Sequence, residues 1–365
     1  MELGHSKIRT VKATALIVPT DFPESDGGLS WTTTTLVLVE ITAAGKTGIG
    51  FTYADPATAQ FINEKFSHLL INGDPMDIPS HWCKMFLSCR NLGMSGMVSM
   101  AISAIDIALW DLKARILGLP LLGLLGQMKE GIPVYASGGF TSYPIPRLQK
   151  QLSEWATQGI LQVKMKVGQV PGQDVHRVYC AREAIGEQTE LFVDAGGAYS
   201  RKEALAMAND FAIYGVHWFE EPVPTEDWEG MHFLRNHAPG GMAITGGQYG
   251  STVTEFQRMI GANTVDILQA DATRCGGITG FLKTAALCEA HSIPLAAHGS
   301  PTIHLHPGCA SSAIPLLEYF YDHVRIEQLF FDGFISPING LLEPDLSRPG
   351  LGIEIKRANT KKFAA

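Results

Sequence analysis

No apolar run in this sequence is long enough to span a bilayer. The most hydrophobic segment, MVSMAISAIDIALWDL, is broken by Asp106 and Asp111, short of the roughly 20 apolar residues a transmembrane helix needs. The leading MELGHSKIRT has no apolar core of an export signal, so a cytoplasmic location is expected. Cysteine is sparse: Cys83, Cys89, Cys180, Cys275, Cys288 and Cys309 are scattered with no CxxC pair. That pattern argues against a zinc site or disulfide scaffold and suits a reducing compartment. Runs of Lys and Arg are missing and the net charge is −8, so neither nucleic acid nor an anionic membrane surface is an expected partner. What is present is 365 residues, 45% hydrophobic and 18% charged. That is enough for a soluble protein of two domains, or one large barrel with additions, acting on a small molecule.

From about residue 132 short apolar runs alternate with helix-like stretches: GIPVYASGG, LQVKMKVG, LFVDAGG, HWFEEP, MAITGGQ, VDILQAD and PLAAHGS. Alternating strands and helices imply parallel βαβ units, at a spacing close to the roughly 30 residues of a (β/α)8 barrel repeat. Residues 1–128 read differently. TTTTLVLVEI alternates, AAGKTGIGF turns, and helical stretches follow, the pattern of a separate α+β domain. The barrel is expected over 129–325. The Gly- and Pro-rich stretch 326–365 is expected to pack back on the first domain.

LQVKMKVG puts Lys164 and Lys166 on one face of a strand, with Val163, Met165 and Val167 on the other. Buried ammonium groups need anions. The following strands end in Asp194, Glu220 and Gln248, and active sites of such barrels gather at the carboxyl ends of the strands. Two carboxylates and an amide oxygen are hard ligands that suit magnesium. The competing reading is a ring of ion pairs that merely neutralises the barrel mouth, a poor way to stabilise a fold because desolvation cancels much of the attraction. Asp271 and His298 end the next two strands. There the carboxylate would fix the imidazole tautomer and make the other nitrogen a better base; a core histidine satisfied by backbone is the alternative. His304 and His306 are read as rim residues without a role.

Taken in order, VKMKVG, VDAGGAY, WFEEP, GGQYG, QADATRCGGITG and AAHGSP, together with AISAIDIALWDLKARILGLPL, resemble the mandelate racemase branch of the enolase superfamily over nearly the whole chain. The resemblance implies a modified TIM barrel, (β/α)7β, under an α+β N-terminal capping domain that the C-terminal segment completes. It also implies a magnesium ion that binds the substrate carboxylate and stabilises the enediolate formed when the neighbouring carbon loses its proton, and a symmetric homo-oligomer. On matching positions it makes Lys166 one acid/base and His298, oriented by Asp271, the other. Lys164 and Glu318 would contact the substrate carboxylate, Asp194, Glu220 and Gln248 would hold the metal, and Glu221 would sit behind them. Lys166, crowded by the ion and a second ammonium, is expected to have its pKa pushed down.

Two positions depart from that pattern. Gln248 stands where glutamate is usual, which predicts weaker metal binding, and Gly196 stands where asparagine is expected. The leading functional expectation is dehydration of an acid sugar to a 2-keto acid, with Asp21, Glu24 and Asp26 of VPTDFPESDGGLSW offered to sugar hydroxyls. The alternatives are racemisation, epimerisation or cycloisomerisation by the same bases, and a non-catalytic carboxylate-binding protein, which draws on Gln248 and Gly196.

Overall fold

Three antiparallel strands begin the chain: β1 (Thr10–Ser25), β2 (Ser30–Ala43) and β3 (Lys46–Tyr53), in the order β1-β2-β3. The computed structural model describes residues 7–365; the MELGHS end read above for an export signal lies outside the described residues. In β2 the simple alternation expected of TTTTLVLVEI does not persist, since Leu36, Val37, Leu38 and Val39 are all buried. The reason is that this sheet is covered on both faces. Leu36 and Leu38 join the core shared with the barrel, whereas Val37 and Val39 pack with the helix Met97–Leu117. That helix lies so close on β3 that a Cβ on Gly48 or Gly50 would stand 2.2 Å from the carbonyl oxygens of Ala108 and Ala104.

The two acids that break the apolar run of this helix are structural staples. Asp106 accepts hydrogen bonds from the Thr279 amide (2.9 Å) and hydroxyl (2.7 Å) on the barrel. Asp111 accepts from the amides of Ile49 and Leu351, both at 2.7 Å, and from Arg115. Buried carboxylates with this many donors are satisfied rather than reactive. They tie sheet, helix, barrel and tail together. In the C-terminal stretch Leu16 bridges Ala364, Pro120 bridges Gly350, and Arg115 pairs with Glu354 at 2.5 Å.

The barrel has eight parallel strands: β4 (Ile132–Gly138), β5 (Gln162–Lys166), β6 (Glu190–Asp194), β7 (Val216–Glu220), β8 (Ala243–Gly246), β9 (Ile267–Ala270), β10 (Leu295–Ala297) and β11 (Leu316–Phe320). Each pairs with the next, and β11 pairs with β4 to close the ring. One helix separates each successive pair of strands, which gives the (β/α)7β order. Closure matters for function because it turns the strand ends into one ring of converging side chains. No described helix is long and apolar enough to cross a membrane.

Candidate active site at the barrel mouth

The register of three neighbouring strands builds the centre of the site. Lys166 on β5 lies opposite Asp194 on β6, and Asp194 lies opposite Glu220 on β7. Side chains two apart share a face, so Lys164 also points inward. Lys164 is fully buried; its Nζ lies 2.5 Å from Glu220 Oε2, 2.9 Å from Glu318 Oε1 and 3.8 Å from Asp194 Oδ2. Lys166 Nζ donates to Asp194 Oδ2. The anions that the paired lysines demanded are these three carboxylates.

The electrostatics follow from that geometry. Burial alone would lower both lysine pKa values, but Glu220 and Glu318 outweigh it at Lys164, Asp194 outweighs it at Lys166, and both ammonium forms are held above their ordinary range. This reverses the expected depression of Lys166: among the protein's own charges the carboxylate at hydrogen-bond distance beats the second ammonium. Burial would likewise raise Asp194 and Glu318, yet the lysines pull both below the usual carboxylate range. Glu220 is raised, by burial first and by Asp194 next.

Gln248 follows β8 and is buried; its Nε2 donates to Glu220 Oε1 at 3.3 Å while its Oε1 has no partner. Next to it, Glu221 holds a left-handed backbone with φ of 38°, and its buried Oε2 is also unpartnered. A buried acceptor without a donor costs free energy, and two of them beside Asp194 and Glu220 suit a hard cation. A half-turn of the Gln248 amide would present its oxygen instead of its nitrogen. Among the described residues no three His, Cys, Asp or Glu side chains form a metal-ligating group, and the third member of this set is an amide. The residues nevertheless fit magnesium: Asp194, Glu220 and Gln248 supply oxygens that can turn to one ion.

Across the mouth, His298 follows β10. β5 and β10 are separated by β4 and β11 on one side and by β6 to β9 on the other, so Lys166 and His298 approach the centre from different sides. His298 Nδ1 donates to Asp271 Oδ2 at 3.2 Å, and its Nε2 stands 3.5 Å from Glu318 Oε2. Asp271 also accepts from the Thr273 amide and hydroxyl at 2.7 Å each, and it is held far below the carboxylate range because the His298 and Arg274 contacts outweigh its burial. An ionised, fully bonded Asp271 fixes the ring and leaves Nε2 facing the cavity.

His304 and His306 are not rim residues. Both are buried in the helix Pro301–Cys309; His304 accepts from the Ala272 amide at 2.8 Å and His306 from the Leu122 amide at 3.2 Å. Burial lowers the pKa of each and keeps it neutral, as an acceptor role requires. The three loop acids also divide. Glu24 is buried with Oε2 accepting from Trp31 Nε1 at 2.9 Å, Asp21 pairs outside the mouth with Arg147 (3.0 Å) and Tyr321 (2.7 Å), and only Asp26 faces the cavity.

The cavity itself is about 430 Å³, with Lys166, Arg274 and His298 on the barrel side and Trp31, Thr33, Thr34 and Asp55 on the capping side. Arg274 was legible only as part of QADATRCGGITG, and the threonines only as strand residues. Nothing in their spacing signals that β2 would be laid across the barrel mouth.

Residues 147–359 match the family model described as Enolase C-terminal domain-like, and residues 10–126 match that of the Mandelate racemase / muconate lactonizing enzyme, N-terminal domain. A crystal structure of a mandelate racemase/muconate lactonizing enzyme-like protein from Rubrobacter xylanophilus superposes with a TM-score of 0.96 at 49% identity, covering 98% of this chain and 100% of that one. The L-talarate/galactarate dehydratase of Salmonella typhimurium is 34% identical over 326 residues, 86% of this chain and 81% of its own. Its structure liganded with Mg and L-lyxarohydroxamate has a TM-score of 0.91 at 31% identity, covering 99% of this chain and 94% of that one. A 3,6-anhydro-alpha-L-galactonate cycloisomerase from Streptomyces coelicolor is 32% identical over 315 residues, 85% of either chain.

Proposed function

The chain belongs to the mandelate racemase / muconate lactonizing enzyme family, and on that premise we propose that it is a magnesium-dependent dehydratase of acid sugars. The observation that carries the reading is that Lys166 and His298 line one cavity from different strands, with Asp194, Glu220 and the free oxygen of Gln248 beside Lys166. An acid and a base on separate walls are what removal of an α-proton followed by loss of a β-hydroxyl requires.

In this scheme Lys164 pairs with one oxygen of the substrate carboxylate, and Glu318, taking up a proton as that carboxylate draws Lys164 away from it, donates a hydrogen bond to the other. Magnesium, when bound, supplies Lewis-acid stabilisation of the negative charge that grows on that carboxylate. Once the Asp194 carboxylate is drawn off its Nζ, the Lys166 ammonium can release its own proton to solvent, and the neutral amine then accepts the α-proton. The protonated His298, held by Asp271, gives its Nε2 proton to the departing β-hydroxyl; water leaves, and the enol tautomerises to a 2-keto acid. The capping sheet supplies Trp31, Thr33, Thr34 and Thr35 to the cavity wall. The six free thiols favour a cytoplasmic setting, and we expect a symmetric homo-oligomer.

A cycloisomerase relative at 32% identity favours a second reading, in which the same first step is followed by expulsion of a ring oxygen instead of water. The experiment is a panel of acid sugars assayed with magnesium for 2-keto acid formation and for exchange of the α-proton with solvent deuterium. Keto acid that has lost water relative to an open-chain acid supports dehydration; keto acid of unchanged mass formed from an anhydro sugar acid or a lactone supports the cycloisomerase reading. For the metal site, Gln248→Glu restores a negative charge and should tighten magnesium binding about tenfold by calorimetry. An unchanged affinity would remove position 248 from the ligand set.

A further inference from the structure

The two walls of the cavity differ in charge, and this bears on which acid sugars fit. Its lining cations, Lys166 and Arg274, both come from the barrel. Arg274 is already engaged: its guanidinium lies 4.9 Å over the Tyr249 ring, donates to the Gln248 carbonyl at 3.3 Å and stands 3.6 Å from Asp271. The capping side contributes no Lys or Arg to the lining. It presents Thr33, Thr34 and Thr35 with Asp26 and Asp55. Hydroxyls and carboxylates of this kind accept or exchange hydrogen bonds with sugar hydroxyls, whereas they repel a second carboxylate.

Asp26 is held by its own turn. Its Oδ1 accepts from the amides of Gly28 (2.8 Å) and Leu29 (2.7 Å), which leaves Oδ2 without a hydrogen bond among the described residues. The next residue, Gly27, abuts the loop after β6: a Cβ there would stand 2.0 Å from the Ala195 carbonyl oxygen. Gly196 in that same loop has no side chain, and a Cβ on it would lie 3.5 Å from the Asp26 carboxyl carbon. The Asp26 carboxyl group therefore lies within van der Waals reach of Gly196, at the barrel mouth just beyond Asp194.

Resting on the dehydratase reading above, we propose that Asp26 is a specificity-determining residue that reads a hydroxyl of the substrate, and that with Asp55 it restricts the substrate to monocarboxylic sugar acids with an uncharged polyhydroxy tail. Dicarboxylic sugar acids are disfavoured because their second carboxylate would face the acidic wall.

The test compares kcat/KM for matched aldonates and aldarates with the magnesium-loaded enzyme, alongside calorimetric affinities. The wild type should favour aldonates by at least about tenfold, and Asp26→Asn should erase most of that ratio, chiefly through tighter aldarate binding. Asparagine keeps the Oδ1 acceptor of the turn, so the thermal midpoint should hold. Asp55→Asn, on an exposed residue, reads the same ratio independently and should lower it less. Preference for aldarates, or a ratio that neither variant moves, overturns the proposal while leaving the dehydratase reading standing. Absence of turnover and α-proton exchange with either class overturns both.

Discussion

Two layers of the same barrel interior, one step apart along the strands, behave as opposites. At the mouth Lys166, Asp194 and Glu220 stand side by side; one step below, Lys164, Phe192 and Trp218 occupy the same faces in the same register. The lower layer is aromatic: the Phe192 and Trp218 rings stack at 4.9 Å, and Tyr135 lies 5.6 Å from each. Lys164 belongs to both layers. Its stem runs through the aromatic cluster, with Nζ 5.2 Å from the Tyr135 ring, and its head ends among the carboxylates. Trp218 Nε1 reaches up in turn to Glu220 Oε2 at 3.2 Å. The lower layer gains its free energy from apolar burial. In the upper layer desolvation cancels much of what the ion pairs gain, so that layer is explained by chemistry and not by stability.

The comparison is broken most severely at Lys166. Lys166→Met should lower the rate of 2-keto acid formation about 10²–10⁴-fold, the range of a positioned acid or base, with circular dichroism unchanged. Phe192→Ala should do the reverse: a loss of about 3–5 kcal/mol in urea unfolding, as expected for a truncated core aromatic, with turnover of the folded fraction within a few-fold of wild type. If Phe192→Ala costs as much turnover as Lys166→Met, the layers are not separable.

A smaller effect sharpens the contrast through pH. Glu327, buried behind the mouth, accepts from the Thr302 amide at 3.1 Å and from Tyr53 at 3.3 Å, and burial pushes its pKa from 4.5 up to about 8. Its native form therefore keeps a proton that the unfolded chain releases between those values, and stability should fall as pH rises from 4.5 to about 8. Below that window the group costs nothing; above it the full cost is reached. Glu327→Gln should flatten this component, worth at most about 1.4 kcal/mol per pH unit. Chemical denaturation at pH 5 and pH 8 checks it, and an equal stability difference between variant and wild type at both would refute the assignment.

Much of this was legible from residue order. Strand spacing gave the barrel, the period of two put Lys164 and Lys166 on one face, and polar residues at the ends of apolar runs marked Asp194, Glu220, Asp271 and His298. These are local signals, set by backbone geometry and by the rule that buried charge needs a partner. The misreadings lie where long-range packing decides. His304 and His306 are acceptors for backbone amides from distant segments, Asp21 and Glu24 turn away from the cavity, and Leu36 to Val39 lose their alternation because the sheet is covered twice.

By itself the sequence determined the strands, the faces of their side chains and the types of chemistry they carry, because those depend on neighbours along the chain. Only the tertiary structure decided that Asp194 binds Lys166 tightly enough to raise its pKa, and that Asp26 lies against Gly196 at the mouth. Coulomb forces and close packing act through space, and the separations involved, 28 residues in one case and 170 in the other, leave no periodic trace in the chain.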